Sequence, residues 1–325
     1  MTENPFSFIG HSDALREIKD AFKSGRMPHA WLIAGIEGVG KYPFAKCVAD
    51  YVLSGGEPSD PGFDIHASKL AAAETHPDLL IIRRPMDERS GELKDSIPVD
   101  DALKVSVFLR KTATHGGWRV VVLDEAHTLT RNGQNAILKI IEEPPPRSLV
   151  LVTVTSSGAL LPTIRSRSRL LQLLPLSEDE MRQVLKRETP PSDHAKLDKA
   201  IALAEGSAGF AMKIMRTDAL PLYEEMMGIL GGLPELDMAR LHKLADQIAK
   251  KADAASFDVV SALLVGHLRE VAVQSAQKGS ADNADLAIRM WESTSNSLAD
   301  VKRSSLDRKL VFVNTVLSIK EMSGS

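Results

Sequence analysis

Apolar residues in the first half of the chain come in short unbroken runs, separated by stretches with helical spacing. The runs Ala30–Ala34, Leu79–Arg83, Arg119–Leu123, Leu149–Thr155 and Leu170–Leu174 are candidate strands. A strand that is apolar at nearly every position is covered on both faces, which predicts a parallel sheet between helical layers. The intervening helix candidates are Ser12–Gly25, Pro43–Val52, Val99–Thr114 and Arg131–Glu143. Thr130 is a suitable N-cap for the last of these, and Pro144-Pro145-Pro146 stops it. Ser54–Ala67, rich in Gly, Pro, Ser and Asp, reads as a loop.

Beyond Pro175 the strand pattern ends. Leu176–Arg216 reads as a small helical unit that opens on a capping box, with Glu180 three residues after Ser177. From Thr217 onward the spacing is helical throughout. Phe257, Val260, Leu264, Leu268 and Val271 recur at steps of three and four, as do Leu306, Leu310, Val313 and Leu317. Breaks are expected at Gly231-Gly232-Leu233-Pro234 and Lys278-Gly279-Ser280. The predicted architecture is an α/β domain over residues 1–175, a helical lid over 176–216 and an all-helical domain over 217–325.

Composition changes this picture little. The chain has 325 residues, and its net charge of −3 gives no whole-surface signal for nucleic acid. A single cysteine, Cys47, excludes an intramolecular disulfide and a multi-cysteine zinc site. Its place on the helix after Gly40 suggests packing. Met1–Ser7 shows no basic-then-apolar signal, and no apolar run approaches a membrane span, so a cytosolic protein is expected.

The chemistry concentrates at two strand ends. Gly35-Ile36-Glu37-Gly38-Val39-Gly40-Lys41-Tyr42 lies between a predicted strand and a predicted helix. It matches GxxxxGK[ST] except at the last position. Such glycines let backbone N–H groups curl around phosphate oxygens, with Lys41 as counter-charge. The missing Ser or Thr is the hydroxyl that holds Mg²⁺ between the phosphates. Tyr42 cannot replace it, so the pattern keeps a phosphate cradle while arguing against a hydrolytic ATP–Mg²⁺ site. Arg119–Leu123 then runs into Asp124-Glu125-Ala126-His127, a Walker B form in which Asp124 would hold the metal through water and Glu125 would polarise an attacking water. Acidic residues that merely end a buried strand are the bland alternative. The letters Asp-Glu-Ala-His also suggest a DEAH-type helicase, which requires a second parallel-sheet motor domain.

Three further segments carry a resemblance. They are Ile9-Gly10-His11 with His29-Ala30-Trp31-Leu32; Asn135-Ala136-Ile137-Leu138-Lys139-Ile140-Ile141-Glu142-Glu143-Pro144-Pro145; and Leu160-Leu161-Pro162-Thr163-Ile164-Arg165-Ser166-Arg167-Ser168. Together with the two motifs above, they resemble AAA+ clamp-loader subunits of bacterial DNA polymerase III, of the delta-prime and gamma/tau kind, over Pro5 to Arg216. The resemblance implies a P-loop domain with a five-stranded parallel sheet, a helical lid and a helical collar that joins the subunits. In that family Ser-Arg-Cys carries an arginine finger; Ser166-Arg167-Ser168 keeps the arginine and lacks the cysteine. Arg167 would then stabilise charge at a neighbour's nucleotide.

Within the family, the delta-prime kind is favoured by what is missing. Tyr42 replaces the metal-binding hydroxyl, and Gly209 stands where active subunits carry a second sensing arginine. The zinc cysteines of many relatives are absent, so no zinc is expected. His76-Pro77-Asp78-Leu79 also matches the delta-prime pattern. The implied partners are gamma/tau and delta subunits, with the sliding clamp and primed DNA reached through the complex, and no membrane. The chain's own ATPase is expected to be absent or weak, which makes it a non-catalytic subunit of a DNA-directed DNA polymerase assembly. An active gamma/tau-type ATPase stays open as the alternative.

Thr155, at the end of the fourth candidate strand, is where such proteins place a polar residue that senses the γ-phosphate. His11, His29, His76 and His127 lack ligand-like spacing and read as structural. Trp31 and Trp118 border strands and read as packing.

Overall fold

The computed structural model describes residues 8–87, 93–114, 117–188, 193–249, 254–278, 281–304 and 306–323. The N-terminal stretch Met1–Ser7 and the break at Gly279-Ser280 lie outside the described residues. The chain divides into two units, Met1–Pro190 with Glu205–Gly209, and Pro191–Ala204 with Phe210–Ser325.

The first unit is built on five parallel strands: β1 (Ala30–Ala34), β2 (Leu79–Ile82), β3 (Arg119–Leu123), β4 (Ser148–Val154) and β5 (Arg169–Gln172). They lie in the order β2-β3-β4-β1-β5. Successive side chains leave a strand on opposite faces, so the runs of β1, β3 and β4 each feed two cores, whereas β5 buries only Leu171. Leu32, Val121, Leu123, Val150 and Val152 pack on one side with Ile137, Ile140 and Ile141 of α5 (Arg131–Glu142) and with Ala102 and Val105 of α4 (Val99–Leu109). Trp31, Ile33, Val120, Val122, Leu149 and Leu151 pack on the other side. There they meet Leu15 and Ile18 of α1 (Ser12–Lys23) and Phe44 and Val48 of α2 (Lys41–Leu53). This double burial is why β1, β3 and β4 read as continuous apolar runs.

Two predicted helix starts have the expected chemistry. Thr130 caps α5 by accepting from the Gly133 N–H at 3.2 Å. Ser177 and Glu180 form a reciprocal box at the start of α7 (Glu178–Glu188), with the Glu180 carboxylate accepting from the Ser177 N–H at 2.8 Å. The predicted loop Ser54–Ala67 needs correction. Asp64 accepts from the His66 and Ala67 N–H groups and starts α3 (Ile65–Ala72), so the last three residues of that span are helical. Ahead of it, Lys19 pairs with Glu57 at 2.5 Å and Lys23 with Asp60 at 3.1 Å, tying the remaining loop to α1. Between β4 and β5 runs the short α6 (Pro162–Arg167).

The second unit is helical throughout its described residues. It holds α8 (His194–Leu203), most of α9 (Ala208–Arg216), α10 (Ala219–Leu230), α11 (Met238–Ile248), α12 (Ala254–Gln277), α13 (Ala281–Ser304) and α14 (Arg308–Ser323). Helices α12 and α13 pack against one another, and Phe257, Val260, Leu264 and Leu268 of the predicted seam are buried. Val271, the last member of that seam, is exposed. The predicted face of α14 is corrected as well. Leu306 precedes the helix and Leu310 is exposed, whereas Phe312, Val313, Val316 and Ile319 are buried. A helix apolar on most sides offers two interleaved seams, and spacing alone does not choose between them.

Candidate functional site

Strand register decides which side chains meet. β4 runs between β1 and β3, with Leu123 beside Val152 and Ala34 beside Val154. One residue further along β3, Asp124 is therefore level with Thr153. The Thr153 hydroxyl donates to Asp124 Oδ1 at 2.5 Å and accepts from the Glu125 N–H at 2.9 Å. Thr153 is fully buried, while Thr155 is exposed just past the end of β4. Burial pushes the Asp124 carboxyl above its ordinary range, opposed by the Thr153 hydrogen bond and by the charge of Lys41. Glu125 sits in the left-handed region at φ 51°, with its carboxylate held by Arg84 Nε at 2.7 Å. His127 is pushed below its usual range by burial, and its Nδ1 has no hydrogen-bond partner.

The glycine loop joins β1 to α2. Gly38 and Gly40 have φ of 75° and 104°, a region closed to most side chains. Gly35 serves differently, since a Cβ there would come within 2.8 Å of the Leu173 carbonyl on the neighbouring chain segment.

The loop's carbonyls from Gly35 to Val39 all find donors within the unit. Lys41 Nζ donates to Gly35 O at 2.9 Å and to Ile36 O at 2.7 Å. Ser207 Oγ donates to Glu37 O at 2.8 Å, and the Gly209 N–H to Gly38 O at 2.8 Å. His11 Nε2, carrying the ring proton, reaches Val39 O at 3.0 Å. Gly209 stands so close that a Cβ on it would lie 2.8 Å from Gly38 Cα. Burial lowers the Lys41 pKa, and the carboxylates of Asp124, Glu37 and Glu125 oppose that shift.

Tyr42 points elsewhere. Its hydroxyl donates to Glu74 Oε1 at 2.7 Å, and Lys46 reaches the same oxygen at 3.0 Å. Arg83 lies 5.7 Å from the ring centroid. Burial and the Glu74 bond raise the phenol well above its ordinary pKa. A residue at the metal-hydroxyl position is thus committed to a surface cluster. Cys47, further along α2, has its thiol pushed up to about 12 by burial, which suits an inert packing group. Among the described residues no group of three or more His, Cys, Asp and Glu side chains is arranged to hold a metal ion.

Arg167 ends α6 on an exposed face. It approaches Thr163 O and Ser166 Oγ at 3.4 Å and Glu142 Oε1 at 3.3 Å, away from Lys41, Asp124 and Glu125. Arg169 is held more firmly. Its guanidinium bonds Glu17 at 2.6 and 2.7 Å and lies 5.2 Å from the Trp31 ring centroid. The structure therefore brings Lys41, Asp124 and Glu125 into one electrostatic neighbourhood and leaves Thr155 and Arg167 at the surface. Sequence spacing gave no sign of Arg84, Glu74 or Ser207, which arrive from distant segments. Thr153 had a signal, a polar residue inside an otherwise apolar strand.

A family model described as DNA polymerase III, delta subunit, matches residues 10–177, slightly over half of the chain. The chain belongs to this family. The matched span contains the glycine loop, the acidic strand end and Arg167. The family resemblance extends to named relatives. The DNA polymerase III subunit delta' of Escherichia coli is 32% identical over 200 residues, covering 61% of this chain and 58% of that protein. The subunit gamma/tau of Mycobacterium tuberculosis is 26% identical over 276 residues, covering 81% of this chain and 46% of that protein. Among solved structures, a DNA polymerase III gamma subunit-related protein from Thermotoga maritima covers 95% of this chain and 99% of its own. Its TM-score is 0.46 at 18% identity. The chain spans about half the length of the curated relatives it matches.

Proposed function

We propose that this protein is a delta-prime-type subunit of the DNA polymerase III clamp loader, lending Arg167 in trans to the nucleotide site of a gamma/tau neighbour. The observation that carries this choice is the Tyr42 hydroxyl, which is spent on Glu74 at 2.7 Å where an active site needs a metal-binding hydroxyl. Lys41 turned onto Gly35 and Ile36, and Glu125 held by Arg84, support the same reading. These residues do not suit a Mg²⁺–nucleotide site, and no catalytic step is assigned to this chain's own loop. Residues 1–175 act as the P-loop domain, 176–216 as the lid and 217–325 as the collar that joins gamma/tau and delta. The sliding clamp and primed DNA are reached through the complex, in the cytoplasm.

An exposed guanidinium at the end of α6 is what such a role requires. Arginine's planar fork can meet two phosphate oxygens at once and stays charged at any working pH. The favoured alternative, a gamma/tau-type ATPase, needs Mg²⁺-dependent turnover despite Tyr42. A DEAH-type helicase needs a second parallel sheet, and the described residues form only the five-stranded one.

The deciding experiment measures nucleotide binding and hydrolysis by the purified chain, alone and then assembled with gamma/tau and delta. The reading expects negligible turnover alone and DNA- and clamp-stimulated ATPase in the assembly that drops on Arg167→Ala. Stand-alone turnover at the assembly's rate would overturn it in favour of the gamma/tau alternative.

A further inference from the structure

The three arginines around the end of α6 are restrained to different degrees. Arg169 is pinned by contacts of 2.6 and 2.7 Å to Glu17 and by the Trp31 ring. Arg165 is exposed and has no side-chain partner among the described residues. Arg167 lies between these extremes, held at 3.3 to 3.4 Å by Glu142, Thr163 O and Ser166 Oγ, with 43% of its side chain exposed. Its strongest opposite charge, Glu142, is the last residue of α5. A carboxylate there faces the negative end of the helix dipole and is unfavourable unless a cation sits beside it. Arg167 is that cation.

We propose that Glu142 is a positioning residue for Arg167. It holds the guanidinium against the ends of α5 and α6 until this face meets a neighbour's nucleotide, and then gives it up. The inference rests on the reading of Arg167 as a group that acts in trans. A nucleotide phosphate and the Glu142 carboxylate compete for one guanidinium, and the carboxylate also lowers the positive potential that an incoming phosphate meets. Both effects oppose docking. The hold is an exposed ion pair with long contacts, so it is weak enough to be exchanged and is screened by salt. Once Arg167 has docked, Glu142 has no part in the chemistry.

The test uses the assembled clamp loader carrying Glu142→Gln, Arg167→Ala, both changes together, or Arg165→Ala as control, each assayed for ATP turnover over a range of ATP and salt concentrations. Glu142→Gln keeps the shape and removes the charge. The expected result is a fall of about two- to five-fold in half-saturating ATP, the range an exposed ion pair can supply, with maximal turnover unchanged. The gain should shrink with added salt and vanish in the Arg167→Ala background, while Arg165→Ala changes little. An unchanged half-saturating ATP, or the same gain with and without Arg167, overturns the role of Glu142. An Arg167→Ala complex with parental turnover overturns the role of Arg167 itself, so the two failures are distinguishable.

Discussion

Thr153 sits beside Asp124, and its one hydroxyl serves two backbone-distant needs: it donates to the Asp124 carboxylate at 2.5 Å and accepts from the Glu125 N–H at 2.9 Å. The acidic strand end is thereby fixed from the neighbouring strand, in a position that neither acidic residue could hold by itself. Replacing Thr153 with the isosteric Val removes one hydrogen bond from the half-buried Asp124 carboxylate and one from the Glu125 N–H. The expected cost is about 1–3 kcal/mol in urea unfolding. Thr155→Val, on the exposed side of the strand end, should stay within about 0.5 kcal/mol. Equal effects of the two substitutions would refute this assignment.

Tyr42→Thr returns the missing hydroxyl and frees Glu74 at the same time. Mg²⁺-dependent nucleotide binding should increase, measurable by titration calorimetry of the purified chain. Turnover should remain negligible, because Glu125 is still held by Arg84 and Gly209 still supplies no cation. A burst of hydrolysis from this single change would show that Tyr42 alone separates the chain from an active ATPase.

Gly209 faces Gly38 at a distance that leaves no room for a side chain. An alanine Cβ there would lie 2.8 Å from a backbone carbon, and the backbone must shift to accept it. Gly209→Ala should cost about 1–3 kcal/mol, the usual range for overpacking a tight site. The measurement is the urea midpoint of the purified chain, and Gly158→Ala, whose nearest neighbour is Ser156 Oγ at 3.6 Å, is the comparison.

Asp50 on α2 is buried with Oδ1 unpartnered, and its pKa is raised to about 6 by burial, with Ser68 and Lys46 pulling it down. The folded state therefore takes up this proton at higher pH than the unfolded chain does. Above pH 6 the ionised group costs stability, and that cost is relieved as pH falls from about 6 towards 4. Asp50→Asn should stabilise the protein by about 1–3 kcal/mol at pH 7.5 and have little effect at pH 4, as read from unfolding midpoints at the two pH values. A stabilisation independent of pH would mean that Asp50 titrates alike in the folded and unfolded chain.

Strands β1, β3 and β4 were legible because burial on both faces writes itself as unbroken apolar runs, and the caps at Thr130 and Ser177 because their partners lie three residues away. Lys41, Asp124 and Glu125 were legible because each sits in a recognisable local pattern, Lys41 at the start of α2 behind the glycine loop and the two acids directly after β3. What spacing could not show depends on register or on distance along the chain. Thr153 in β4 and Thr155 just past its end have the same parity in sequence, and only the pairing of Leu123 with Val152 puts the former beside Asp124. Arg84 reaches Glu125 across 41 residues and Ser207 reaches Glu37 across 170, separations over which sequence carries no period. Asp64 was hidden among turn-forming residues, where a helix cap and a loop acid look alike.

The approach of Gly209 to Gly38 also sets an order on change. A chain that once carried a cation at position 209 could lose it in one step and let the loop settle inward. The reverse step meets a wall, since any side chain at 209 collides with Gly38 before its charge can reach a phosphate. Changing Tyr42 or freeing the acidic strand end would not reopen that space. The contact therefore works as a ratchet: a cationic side chain placed at 209 requires the loop and the helix start that rests on it to move together.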